Sequence, residues 1–213
     1  MIDEALEKLG VDQAIVVVHS LAGALGALGA LMALDYPQRV AGLVMLAGVT
    51  HPWPGGVGIY NEVVTTPVIG KLLAYTITLP LGYFLTDVAG RAVFAPQPMP
   101  EGYVAQTATQ LVVRPRNFLA NAWDLVTLKS AVMAQASRYA DIKAPTVVIA
   151  GSADTIVSPE IHSRHFAKTV PGAKLIVLSN VGHMVQNAAP DLIMREIEGM
   201  ISAADTKPKA ALR

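Results

Sequence analysis

From Ala14 to Leu34 the chain carries no formal charge over a length that could span a bilayer, yet its chemistry changes halfway. Ile15, Val16, Val17 and Val18 are β-branched, stiff at χ1 and suited to a buried strand. Beyond Ser20 the residues are nearly all Ala, Leu and Gly, as in a closely packed helix. A single helix would not sort its residue types this way. The pattern therefore predicts a strand over Ala14–Val18, a sharp turn at Ser20, and a helix over Leu21–Leu34 that ends before Pro37. Ala22, Gly23, Gly26, Ala27 and Ala30 would let that helix approach closely whatever covers it, which reads as a central, buried position.

The same alternation recurs along the chain. Gly42–Leu46 is apolar without interruption, as expected of a parallel strand covered on both faces. Thr146–Ala150 and Lys174–Leu178 read as further strands. Asp3–Leu9 reads as a short amphipathic helix stopped by Gly10, and Pro159–Thr169 as a helix with Ser158 at its N-cap and Pro159 at its first position. A last helix is expected over Pro190–Ser202. From about His51 to Tyr139 the alternation breaks, and Pro and Gly clusters separate short apolar helical stretches. The expected organisation is an α/β core over residues 1–50 and 140–203, a helical cap inserted at 51–139, and a disordered tail at 204–213.

Charge and composition exclude several classes. Sixteen basic residues balance sixteen acidic ones, so no long-range field draws the chain to nucleic acid or an anionic membrane. Without cysteine there is no disulfide framework, thiolate metal site or cysteine nucleophile, and five histidines remain for chemistry. The N-terminus has acidic residues where a secretion signal needs a basic start, so a cytoplasmic location is expected. A second apolar window, Val63–Leu85, keeps a small membrane protein with two spans as an alternative, although Lys71, Pro67 and Pro80 interrupt it.

Three polar residues stand just beyond predicted strands. Ser20 follows the first strand and opens a helix, the context in which a serine hydroxyl projects above a sheet and the next backbone N–H, that of Leu21, faces a developing oxyanion. The same position suits a helix N-cap. Asp154 follows the strand at Thr146–Ala150, on the side where parallel sheets build sites, and would otherwise be a turn aspartate. His183 follows the last strand; alone it would read as a surface histidine. The order serine, acid, histidine is the chain order of a hydrolase triad. His19 reads as a packing residue pointing away from the site. His162 and His165 lie three apart, as metal ligands can, but lack a third partner and read as an exposed helix face. Trp53, Tyr60, Tyr75, Tyr83, Phe84 and Trp123 either line an acyl pocket or pack on one another.

Taken together these features resemble the α/β-hydrolase family. The resemblance covers about Glu4 to Ile201 and rests on the elbow Val18-His19-Ser20-Leu21-Ala22, the Asp35–Leu46 segment, the run from Ile142 to Asp154, and Gly182-His183-Met184-Val185-Gln186 with Pro190 beyond. It implies the C-terminal part of that fold, with a parallel sheet of about four strands, flanking helices and the cap. It also implies Ser20 as nucleophile, His183 as base, Asp154 as the acid that orients it, and Leu21 as an oxyanion donor. The substrate class would be a small apolar ester, or a related acyl or carbon–carbon bond, cleaved with no cofactor and no metal. A peracid-forming side activity would use the same residues. Serine rather than aspartate as nucleophile argues against the dehalogenase and epoxide-hydrolase branches.

Members of this family carry further strands ahead of the elbow strand, and a loop there supplies a second oxyanion donor. The expectation is thus an N-terminally truncated hydrolase whose first strand is a bare apolar edge open to self-association. Val18 and Ala22 also stand where the elbow favours glycine. An impaired hydrolase acting as a binding or non-functional domain is the alternative.

Overall fold

The computed structural model describes residues 2–20 and 25–205. Among them β1 (Ala14–His19), β2 (Val40–Leu46), β3 (Thr146–Gly151) and β4 (Lys174–Leu178) pair side by side in that order, every pair parallel. Parallel neighbours need a crossover connection. The first runs through α2 (Leu25–Asp35), the second through a long helical segment, and the third through a π-helical turn, Glu160–Arg164, that continues into α8 (His165–Thr169). Ahead of them α1 (Ile2–Lys8) stops at Gly10, whose φ of +67° a residue with a side chain would adopt only with strain.

Continuous apolarity in the central strands β2 and β3 has the expected cause, since both faces of the sheet are covered there. Leu43, Met45 and Val148 face one side, where Ala30 and Ala33 of α2 join Tyr139 and Phe166. Val44, Leu46, Val147 and Ile149 face the other, against Val185 of α9 (Val185–Ala188) and Ile193 of α10 (Pro190–Asp205). Small residues set the spacing. A Cβ on Gly29 would lie 2.8 Å from Val18 Cγ1, so this glycine makes room for the β-branched residue two before Ser20. Val18 is an ordinary strand residue opposite Met45.

The register decides where the loops emerge. His19 lies opposite Leu46, Leu46 opposite Ile149, and Gly151 opposite Leu178. The C-terminal ends of the strands are thus level, and the residues after β1, β3 and β4 reach one edge of the sheet. That edge is where open parallel sheets place their sites.

Between β2 and β3 lie α3 (Ile59–Val64), α4 (Ile69–Leu73), α5 (Leu79–Phe94), α6 (Tyr103–Gln106) and α7 (Pro115–Ala136). Helix α4 runs without a break through a π-helical turn, Ala74–Thr78, into α5, and the π turn precedes Pro80, whose ring cannot fit an ordinary α-helical ladder. The joined run Ile69–Phe94 is long and apolar enough to cross a membrane, and 17% of its most apolar window is buried. The other apolar window, Ala14–Leu34, is divided between β1 and α2.

Several expectations need correction. The C-terminal helix extends to Asp205, so the residues from 204 onward are helical at least that far; 206–213 lie outside the described residues. The start of α2 expected at Leu21 also lies outside them, as do Ala22 and Gly23. His162 is buried rather than on an exposed face, because its ring accepts hydrogen bonds from the loop after β2. Of the aromatic residues named above, Tyr83 and Phe84 meet edge to face with ring centroids 6.2 Å apart, Tyr60 meets Phe118 and Trp53 lines a cleft, yet Phe84 is 79% exposed and Tyr60, Tyr75, Tyr83 and Trp123 are also exposed.

Candidate active site

At the end of β1, Ser20 takes φ +64°, a left-handed conformation that a non-glycine residue adopts at a cost of about 1–2 kcal/mol. Its N–H donates to Leu46 O at 3.0 Å, which pins the turn to the neighbouring strand. Gly26 permits this tight geometry: a Cβ there would sit 3.0 Å from Ser20 O and 2.8 Å from Val49 N. The strain therefore belongs to a turn held from two sides.

Asp154 lies three residues beyond β3. Its Oδ1 accepts the N–H groups of Ile156 at 2.8 Å and Val157 at 2.9 Å, closing a turn that fixes the carboxylate. The second oxygen, Oδ2, is left to meet His183 Nδ1 at 2.7 Å. On its other side His183 Nε2 lies 2.5 Å from Ser20 Oγ. All three residues are buried. The turn-aspartate reading and the charge-partner reading are both realised, one on each carboxylate oxygen.

The loop carrying His183 is held residue by residue. Asn180 N–H donates to Ser152 Oγ at 2.9 Å, and Ala153 N–H donates to Val181 O at 2.9 Å. Gly182 is wedged between β3 and the helical segment, since a Cβ added to it would collide with the carbonyl oxygen of Ala95. His19, expected to point away, donates from Nε2 to His183 O at 3.1 Å and packs its ring 4.8 Å from the His183 ring. Burial lowers the pKa of His19, which disfavours a charge on its ring. The sequence missed this contact, and it also missed Gln97 and Ser152, whose partners lie 83 and 28 residues away.

Behind Asp154 a buried network ties the loop after β2 to the π-helical turn. His162 Nδ1 accepts the N–H groups of Thr50 and His51, each at 3.3 Å, and Thr50 Oγ1 donates to His162 O at 3.2 Å. Tyr139 OH donates to Thr50 O at 2.6 Å, and His51 stacks on His165 with ring centroids 4.1 Å apart. Burial pushes the pKa of both His51 and His162 down to about 4, so both rings are neutral near pH 7. Among the described residues no three histidine or carboxylate side chains converge as a metal site.

A cleft of about 390 Å³ opens beside this network, with Trp53, Val57, Leu125, Ile156, Val157 and Ile161 in its wall. Ile156 and Val157 of this wall are the residues whose N–H groups hold Asp154, while Ser20, Asp154 and His183 are not themselves part of it. The expected oxyanion donor, Leu21, lies outside the described residues.

A model of the alpha/beta hydrolase family matches residues 2–196. No curated protein matches the chain. Among solved structures, Est816, described as an N-acyl homoserine lactone degrading enzyme, is 26% identical, with a TM-score of 0.57 over 93% of this chain and 71% of its own. A haloalkane dehalogenase from Bradyrhizobium elkani is 23% identical, with a TM-score of 0.67 over 96% of this chain and 72% of its own. The 2-hydroxy-6-oxo-6-phenylhexa-2,4-dienoate hydrolase of Rhodococcus is 16% identical, with a TM-score of 0.67 over 92% of this chain and 66% of its own.

Proposed function

The chain belongs to the α/β-hydrolase family, and from that membership we propose that it is a serine hydrolase cleaving an ester, or a related acyl or carbon–carbon bond, of a small apolar substrate. One observation carries this reading: the unbroken hydrogen-bonded line from Asp154 Oδ2 through the His183 ring to Ser20 Oγ. Each member has a role in acyl transfer. Ser20 Oγ attacks the substrate carbonyl carbon while His183 Nε2 takes the hydroxyl proton. The tetrahedral oxyanion collapses to re-form the carbonyl, the bond from its carbon to the alkoxide oxygen breaks, and the leaving alkoxide takes that proton from His183. A water molecule, deprotonated by His183, then attacks the acyl-serine, releases the acid and restores Ser20. Asp154 holds the imidazole in the Nδ1–H tautomer and stabilises the imidazolium. Trp53, Val57, Leu125 and Ile161 in the wall of the cleft, which also carries Thr155, Ser158 and His162, favour a small apolar group on the substrate.

Labelling with a fluorophosphonate probe tests the reading. Ser20 in the intact chain should become phosphonylated, as located by peptide mapping, and the adduct should vanish in Ser20→Ala. A folded wild-type protein that takes no label would sink the proposal. The second reading, a hydrolase fold without turnover, draws on the position of β1 at the sheet edge with Val17 43% exposed, and it expects that same silence.

A further inference from the structure

We propose that Gln97 is a positioning residue, through which the helical segment between β2 and β3 holds the loop carrying His183 in line with Ser20; this inference rests on the hydrolase reading above. Both ends of its carboxamide are used on that loop. Nε2 donates to Asn180 O at 2.7 Å, and Oε1 accepts the N–H of Gly182 at 2.9 Å. A neighbouring strand bonds the two residues flanking its opposite number in the same way, so the side chain stands in for a strand that the loop lacks. The far side of the loop is held by Ser152 and Ala153, next to the acid, and the carbonyl of His183 itself by His19. Gln97 supplies the corresponding grip from the helical side.

The sequence around it suits a fixed support. Gln97 lies between Pro96 and Pro98, with Pro100 beyond. Each proline fixes its own φ and restricts the residue before it to extended backbone, so little chain entropy is lost in presenting the amide. The neighbouring Ala95 carbonyl abuts Gly182 so closely that no side chain fits there, which transmits any movement of this segment directly to the residue before His183. A misplacement of about 1 Å in a catalytic group can slow a reaction roughly 100-fold.

The test compares Gln97→Ala and Gln97→Glu with the wild type, and uses Gln106→Ala, on α6 of the same segment, as a control. Two readouts are taken: fluorophosphonate labelling of Ser20 across probe concentrations, and the imidazole nitrogen-15 shifts of His183, which report the nitrogen carrying its proton. In Gln97→Ala the maximal labelling rate should fall roughly 10- to 100-fold, with half-saturation changed by less than about twofold. The His183 proton should pass from Nδ1 alone to a mixture of both nitrogens. Gln97→Glu keeps the acceptor for Gly182 N–H and should recover part of the rate. Wild-type rate and an unchanged tautomer in Gln97→Ala would overturn the proposal, as would an equal loss in Gln106→Ala. If the wild type itself takes no label, the hydrolase reading fails, and the tautomer measurement alone still decides whether Gln97 positions the ring.

Discussion

Single residues in this chain do their work by having both sides occupied. Asp154 divides its two oxygens between the turn that holds it and the ring it orients. Replacing it by Asn keeps the size but offers an amide donor where the His183 Nδ1–H must donate, which favours the wrong tautomer. Labelling of Ser20 in Asp154→Asn should therefore slow by about 10⁴-fold while the melting temperature changes little. Probe kinetics beside thermal unfolding would check this, and an unaffected rate would remove Asp154 from the mechanism. Gly182 is a second such residue. A Cβ there meets the carbonyl of Ala95, which is backbone and cannot rotate aside. Gly182→Ala is expected to lose about 1–3 kcal/mol in denaturant unfolding and most of its labelling together, because the displaced peptide is the one that leads into His183.

At the scale of elements, the loop after β2 and the π-helical turn Glu160–Arg164 are joined through one ring. His162 Nδ1 can accept the N–H groups of Thr50 and His51 only while it carries no proton. The groups facing this pair are Asp154 near His162, and His165 and Tyr139 against His51. In the folded chain both His51 and His162 have pKa values of about 4, below the ordinary 6.5, so the unfolded chain binds more protons between those values. The stability conferred by the neutral rings is complete above about pH 6.5 and is lost as the pH falls toward 4. Melting temperature should accordingly hold level from pH 8 to 7 and drop by roughly 5 °C or more by pH 4.5. His162→Phe should melt lower at pH 7, since two buried N–H groups lose their acceptor at about 1–3 kcal/mol each, and its stability should depend less on pH. A parallel pH dependence in wild type and variant would show that other groups set the acid limit.

At the scale of the whole molecule, the sheet among the described residues ends at β1, one side of which pairs with no strand. Val17 of β1 is 43% exposed, and β1 pairs only with β2 among the described residues. Unpaired backbone groups on an apolar strand are a template for another chain. Sedimentation velocity should reveal concentration-dependent association of the wild type, reduced in Val17→Lys, where a charge would have to be buried for edges to meet. Identical behaviour of the two proteins would place any association elsewhere, such as the apolar and largely exposed run Ile69–Phe94.

The sequence by itself determined the strands and the order in which Ser20, Asp154 and His183 follow them. Four short runs read as strands; β3 is buried throughout and β2 nearly so, while β1 and β4 at the two edges are only partly covered, and the bounds found for β3 and β4 differ from the expected ones by at most one residue. Ser20, Asp154 and His183 were legible because each stands just past a strand end, and a parallel sheet brings such positions to one edge. Tertiary structure alone decided what holds those residues there. Gln97 is 83 residues from Asn180, His19 is 164 from His183, and His162 is 112 from Thr50. Nothing local marks such pairs, because a hydrogen bond across that separation depends on how the helical segment and the sheet come to rest against each other, and residue spacing does not encode that geometry.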